Sequence, residues 1–260
     1  MKPDVYKRVR GAYGRRMAKW FGRRLFRVSC PQPLISFTFD DFPRSALFTG
    51  GRILEQHGIT GTYYIALGLM TRIEPTGEIF HAHDLPPLLA RGHEVGCHTY
   101  DHCPAWETTP SEYETSVIRN AAALPEFASH GDLQTHSYPI SHPRPGTKRR
   151  LAPRFRGCRG GGQTFNHGII DLNYISSFFL EQSRDDFNQI ERVIETNSEA
   201  GGWLIFSTHD VSKSPTRFGV QPDLFEKVVR CSVRSGAKIL LMSRALETIG
   251  CRPTHSSHGG

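Results

Sequence analysis

Three short clusters of polar residues in this chain could do chemistry together. Asp40 and Asp41 are adjacent in TFDD (38–41), His98 and His102 stand four apart in HTYDH (98–102), and His209 precedes Asp210 in THD (208–210). Two imidazoles at that spacing can face one ion from a helical turn or a tight loop. Where two carboxylates are adjacent at the end of a strand, one can bind a metal while its neighbour stays free as a base. The same pair also suits a solvated turn or a helix N-cap. A histidine after the apolar run WLIFST could be a buried, satisfied residue. It could equally be a general acid, because imidazole titrates near neutrality. Cys97 and Cys103 flank the histidine pair and are candidate soft ligands, but the strand neighbour of a ligand usually points away from it.

The elements around these clusters alternate between strand and helix. LISFTF (34–39) ends at the two aspartates, TGTYYIAL (60–67) is rich in Thr and Tyr, HEVGCH leads into the histidine pair, and GGWLIFSTHD ends at His209. HSYPI (136–140) and AKILLM also read as strands. Helical patterns separate them. One is predicted after Phe42 and closes at Gly58, a short one ends at Gly92, and another begins at a capping box formed by Ser111 and Glu114. Asp185 to Asn197 puts Phe187, Ile190, Val193 and Ile194 on one face, and Pro222 opens a helix that Gly236 closes. Such alternation predicts a parallel sheet or barrel. All three polar clusters follow the C-terminal end of a predicted strand, which is the rim where β/α barrels carry their chemistry.

The length of 260 residues suits one large domain. The expected organisation is a basic N-terminal arm (1–29), a globular body (30–249) and a polar, mobile tail (250–260). The net charge of +7 is unevenly spread. Residues 1–27 hold ten Lys/Arg against the single acid Asp4, a charge of +9, whereas the remainder, with 22 bases and 24 acids, carries −2. The basic character therefore belongs to the arm, and a nucleic-acid partner is not expected. Within the arm, Val5, Tyr6, Val9, Tyr13, Met17, Trp20 and Phe21 recur at near-helical spacing among Lys and Arg. That pattern fits either a basic amphipathic helix lying on an anionic membrane surface or a segment packed back on the body. The six cysteines form no CxxC and no disulfide framework, so a reducing, cytoplasmic setting is expected, with peripheral contact at the inner membrane face through residues 1–29. Charges interrupt every apolar run, so neither a transmembrane span nor a secretory h-region is expected.

Taken in order, TFDD, RGHEVGCHTYDH and the late THD resemble the NodB-homology polysaccharide deacetylases, carbohydrate esterase family 4. The pattern of that family is TFDD, then H(S/T)xxH, a Pro-rich RxPY-type segment, an Asp motif and an LxH motif. The resemblance spans roughly residues 34–248 and implies an α/β fold, a distorted (β/α) barrel of about seven parallel strands. It implies a metal-dependent hydrolase of linear amides that removes acetyl groups, N-acetyl above all, from a GlcNAc-type oligo- or polysaccharide. Asp41, His98 and His102 would hold a divalent metal, zinc in the first instance. Two imidazoles and one carboxylate leave positions open for water and substrate. Asp40 would be the base and His209 the acid. SYPIS (137–141) aligns with the Pro-rich segment, so Tyr138, Pro139 and Ile140 are expected at the substrate and oxyanion site, with the Ile140 N–H as donor.

The chain departs from that pattern at several positions. Phe42 replaces the glycine after TFDD, and Ser207 stands where an apolar residue precedes the acid histidine. The arginine that orients the base is missing, with Ser137–Tyr138 in its place. Arg156 or Arg159 is expected to replace it in space. Asp171 in IIDLNYI is a loose match to the Asp motif. Removal of O-acetyl groups would use the same machinery, a non-catalytic saccharide-binding protein could share the scaffold, and an allantoinase-like enzyme would act on a small amide ring instead.

Overall fold

The computed structural model describes residues 3–28, 30–128, 132–140 and 142–251, with side chains from residue 11 onward. Eight strands form one sheet: β1 (Leu34–Phe39), β2 (Thr62–Ile65), β3 (Glu94–Cys97), β4 (Thr135–Ser137), β5 (Gly157–Arg159), β6 (Phe178–Phe179), β7 (Trp203–Thr208) and β8 (Lys238–Ile239). Their order is β6-β7-β1-β2-β3-β4-β5, with β8 beside β1, and every pairing is parallel. The partner of β1 changes along its length: Leu34 and Ile35 pair with β8, while Thr38 and Phe39 pair with β2. The sheet curves into a half-barrel. This is the distorted (β/α) barrel expected from the alternation of elements.

Both long central strands, β1 and β7, are buried along their whole length. That is why LISFTF and WLIFST carry aromatic and β-branched side chains on both faces. On one side Phe37, Phe206 and Phe225 make ring contacts. Helices α1 (Pro3–Trp20), α2 (Arg52–Gln56), α3 (Leu85–Ala90), α4 (Pro110–Ala123), α5 (Pro145–Leu151), α6 (Phe187–Glu199), α7 (Pro222–Arg234) and α8 (Met242–Thr248) surround the sheet. The glycines expected to close helices do so in left-handed geometry, with φ of 68° at Gly58, 83° at Gly92 and 75° at Gly236. The capping box of α4 lies two residues before the expected Ser111–Glu114 pair. Thr109 caps the helix and exchanges bonds with Glu112, its Oγ1 accepting from the Glu112 N–H at 3.3 Å. Pro110 decides the register, because it has no N–H to lose at the first helical position.

The basic N-terminal segment is anchored along its second half. In α1, Gly14 and Ala18 are buried, and Gly14 lies under the Trp106 indole, which a Cβ there would approach to 3.3 Å. Residues Leu25–Arg27 pair antiparallel with Ile169–Asp171. The Arg24 guanidinium donates to the carbonyls of Ala152, Phe155 and Arg156 at 2.7–2.9 Å. The side chains of Val5, Tyr6 and Val9, and residues 252–260 of the expected tail, lie outside the described residues. No helix among the described residues is long and apolar enough to cross a membrane.

Candidate active site

The strand β1 ends in a turn that aims its two aspartates differently. Asp40 still holds the strand, its N–H donating to the Thr208 carbonyl at 3.0 Å. Asp41 and Phe42 then take left-handed φ values of 61° and 55°. Two consecutive non-glycine residues in this region cost about 1–3 kcal/mol each. At Phe42 packing offsets that cost. The ring is fully buried and stacks on Phe80 with centroids 4.9 Å apart, against Tyr63 on its other side. Full burial of such a side chain stabilises by about 1.5–3 kcal/mol, so an aromatic residue is tolerated where the resemblance leads one to expect glycine. Phe42→Gly should therefore destabilise the fold by about 3–5 kcal/mol less the strain it relieves, measured by denaturant unfolding. An unchanged unfolding midpoint would show that the ring adds nothing.

Asp41, His98 and His102 converge. Their candidate ligand atoms all lie within 4.8 Å of one another, with Asp41 Oδ1 at 3.4 Å from His98 Nε2 and 3.0 Å from His102 Nε2. The other ring nitrogen of His98, Nδ1, lies 2.8 Å from the Ser137 carbonyl. With Nδ1 engaged by the backbone, Nε2, which faces Asp41, is the nitrogen placed to bind a metal. Thr76 donates to Asp41 Oδ2 at 3.0 Å and holds the carboxylate in place. Asp41 Oδ1, although buried, accepts no well-directed hydrogen bond among the described residues. Burial works to raise the Asp41 carboxyl, but the two imidazoles outweigh it and hold the group well below the usual carboxylate range. An ionised carboxylate with an orphan oxygen facing two imidazole nitrogens is a donor set that fits a divalent cation. The two flanking thiols are not part of it. Cys97 is buried against Asn120 and is pushed up to about 12, chiefly by burial.

Asp40 is bound on its other side. Its Oδ1 pairs with Arg159 Nη2 and accepts from Ser137 Oγ at 3.1 Å, and its Oδ2 lies 3.5 Å from Ser207 Oγ. Ser137 and Arg159 are register partners on β4 and β5. The arginine missing from position 137 is thus supplied by the next strand at the same height. Ser137 accepts from Arg159 at 2.6 Å, and Ser177 accepts from Nη1 at 3.1 Å. Arg156 takes no part. It is three residues earlier and faces the other way, donating to Gln134, Glu247 and the Cys251 carbonyl. Burial works to raise the Asp40 carboxyl, but Arg159, with His98 and His209, outweighs it and holds the group below its ordinary value. Breaking such a buried pair leaves one charge without a counter-ion, so Arg159→Gln should lose about 3–5 kcal/mol of stability. Adding Ser137→Arg to Arg159→Ser should recover most of it, because the guanidinium then reaches Asp40 from the adjacent strand. Equal unfolding midpoints for wild type and Arg159→Gln would contradict the pairing.

These groups face one cavity of about 630 Å³. His209 reaches it from the end of β7, with Nδ1 3.2 Å from the Phe218 carbonyl. Its neighbour Asp210 is engaged in the loop instead, accepting from the Thr216 N–H at 2.9 Å and the Thr216 hydroxyl at 2.6 Å. Tyr138 and Ile140 line the cavity, with Pro139 buried between them. Ile140 has a φ of 62° and is 70% exposed. Asp171 does not belong to this cluster, contrary to the expectation from IIDLNYI. It forms an ion pair with Lys148 at 2.6 Å and accepts from the Arg24 and Asn173 N–H groups, fastening the N-terminal segment to the body. Thr76 and Glu181, both at the cavity, were not singled out by the sequence. Thr76 sits at the tip of the hairpin formed by Ile73–Glu74 and Gly77–Glu78, and nothing in its neighbours marks it.

The curved parallel half-barrel thus carries an Asp–His–His cluster, with Asp41 and His98 buried and His102 half-buried, at the C-terminal ends of its strands. The family model described as polysaccharide deacetylase matches residues 27–152, which include both TFDD and HTYDH. Residues 27–152 thus carry the signature of the polysaccharide deacetylase family. Solved structures share the fold at low sequence identity. The chitin deacetylase from the fungal pathogen Colletotrichum lindemuthianum is 14% identical at a TM-score of 0.58, over 90% of this chain and 97% of that one. A family 4 acetyl xylan esterase from Clostridium thermocellum, in complex with a cobalt ion, is 18% identical at 0.56, over 82% and 90%. A CE4 family pseudoenzyme from Bacillus anthracis is 10% identical at 0.58, over 84% and 66%. No curated protein sequence matches the chain.

Proposed function

We propose that this protein is a metal-dependent deacetylase that hydrolyses N-acetyl groups of a GlcNAc-type oligo- or polysaccharide. The observation that carries the reading is the division of labour between adjacent aspartates. Asp41 joins His98 and His102, while Asp40 is held apart by Arg159 and Ser137. A divalent cation on Asp41, His98 and His102, zinc in the first instance, would polarise the acetyl carbonyl and acidify the attacking water. Asp40, kept ionised by Arg159, takes the proton of that water. His209 gives a proton to the departing sugar nitrogen, its ring oriented by the Phe218 carbonyl. The backbone N–H of Ile140 is the candidate donor to the developing oxyanion. Acetate release from chito-oligosaccharides, compared with acetylated xylan, tests the reading. Release from the first and not the second is expected. The opposite preference would make the enzyme a de-O-acetylase.

The exposed aromatics of the N-terminal segment support a position at the inner face of a membrane. Tyr13, Trp20, Phe21 and Leu25 are 52–58% exposed, and Lys19 and Arg23 flank the Trp20 ring. Each base near an anionic surface adds about 1 kcal/mol, and buried aromatic area adds to it. Trp20→Ser with Phe21→Ser should weaken binding to phosphatidylserine vesicles by about tenfold or more while activity on a soluble oligosaccharide is kept. Equal vesicle binding by the variant would contradict the membrane role.

A further inference from the structure

One buried carboxyl in the cavity has no part in the mechanism above. Glu181 lies in the turn Leu180–Ser183 and lines the cavity together with Asp40, Arg159, Phe179 and Gln182. Its segment is pinned on both sides. The Gln163 amide bonds both backbone groups of Phe179 at 3.0 Å, and Ser183 Oγ donates to the Leu180 carbonyl at 2.7 Å. Arg184 and Asp185 follow in left-handed conformations, with φ of 52° and 61°. The backbone that carries the carboxyl is therefore held in place beside the cavity. Yet Glu181 Oε2 is buried and has no hydrogen-bond partner among the described residues. A buried acceptor left without a partner is destabilising, and a ligand donor would remove that cost.

We infer that Glu181 is a saccharide-binding residue, its carboxyl pairing with a ring hydroxyl of the acetylated sugar while the neighbouring Phe179 ring offers an apolar face to the sugar's C–H groups. The inference rests on the saccharide reading and deepens it by naming a residue that selects the substrate. The charged groups facing Glu181 are Asp40 at the end of β1, Arg159 on β5 and Asp210 after β7. Burial, with Asp40 and Asp210, pushes the carboxyl up to about 8, against its own backbone N–H and Arg159. At neutral pH it is therefore largely protonated, and a neutral carboxyl can both donate to and accept from a hydroxyl. A glutamine has the same shape and the same two capacities.

The test compares the affinity of wild type, Glu181→Gln, Glu181→Ala and Glu181→Leu for triacetylchitotriose by calorimetry, alongside acetate release. The alanine and leucine variants should bind roughly tenfold more weakly, about 1.4 kcal/mol. Glu181→Gln should stay within about twofold of wild type, because the amide keeps both the donor and the acceptor. The leucine variant keeps the side-chain volume should alanine disturb the fold. Equal affinity in all four proteins, or equal loss in the glutamine and alanine variants, would overturn the inference, as would a wild type that binds no acetylated saccharide. Wild-type binding with the stated order of variants but no acetate release would sink the catalytic reading and leave the role of Glu181 standing.

Discussion

Asp40→Asn should lower kcat by about 10²–10⁴ while the protein still takes up its metal. The asparagine keeps the size of the side chain and can still contact Ser137 and Ser207, but it cannot accept a proton at neutral pH. Asp40 is not among the converging ligand atoms, so metal content, measured by atomic emission on the purified variant, should match wild type. The variant loses the counter-ion of Arg159, so its melting temperature should fall; assays belong well below it. Full activity in Asp40→Asn would remove the base from the mechanism and with it the reason for the Arg159 pair.

His98→Ala should abolish activity by a different route. It removes a proposed ligand and also the bond that ties the imidazole to the Ser137 carbonyl. Loss of a ligand costs more than the 10–100-fold in affinity typical of losing an outer-shell partner, so the variant should be purified nearly metal-free. The two substitutions therefore separate cleanly: one loses turnover with metal retained, the other loses both. If His98→Ala kept its metal and its activity, the cluster would be a buried polar network and no more.

The sequence spoke most clearly where backbone and chemistry coincide. Strand ends followed by DD, HTYDH and THD are legible because a parallel strand buried on both faces must change composition abruptly when it reaches the rim, and the structure brings the three clusters to one cavity. The departures from the family pattern were legible as single oddities but not as a set. Ser137, Arg159 and Ser207 all contact the same carboxylate, Asp40. Their common purpose depends on the register that sets Ser137 beside Arg159 and β7 beside β1, which a linear pattern does not contain. Asp171 was misread for the same reason. IIDLNYI resembles the Asp motif loosely, and only the packing of Lys148 and Arg24 around Asp171 reveals an anchor. Glu181 gave no signal, because a single glutamate in a short turn is ordinarily solvated.

The central claim, that Asp41, His98 and His102 hold a divalent metal on which deacetylation depends, is tested most directly by acetate release from triacetylchitotriose before and after stripping the metal with a chelator. Activity should disappear with the metal and return on addition of about one equivalent of zinc or cobalt per chain. In His98→Ala the same addition should restore nothing. Full acetate release by the stripped protein, at the wild-type rate and with metal content below a few per cent of the chain, would contradict the account.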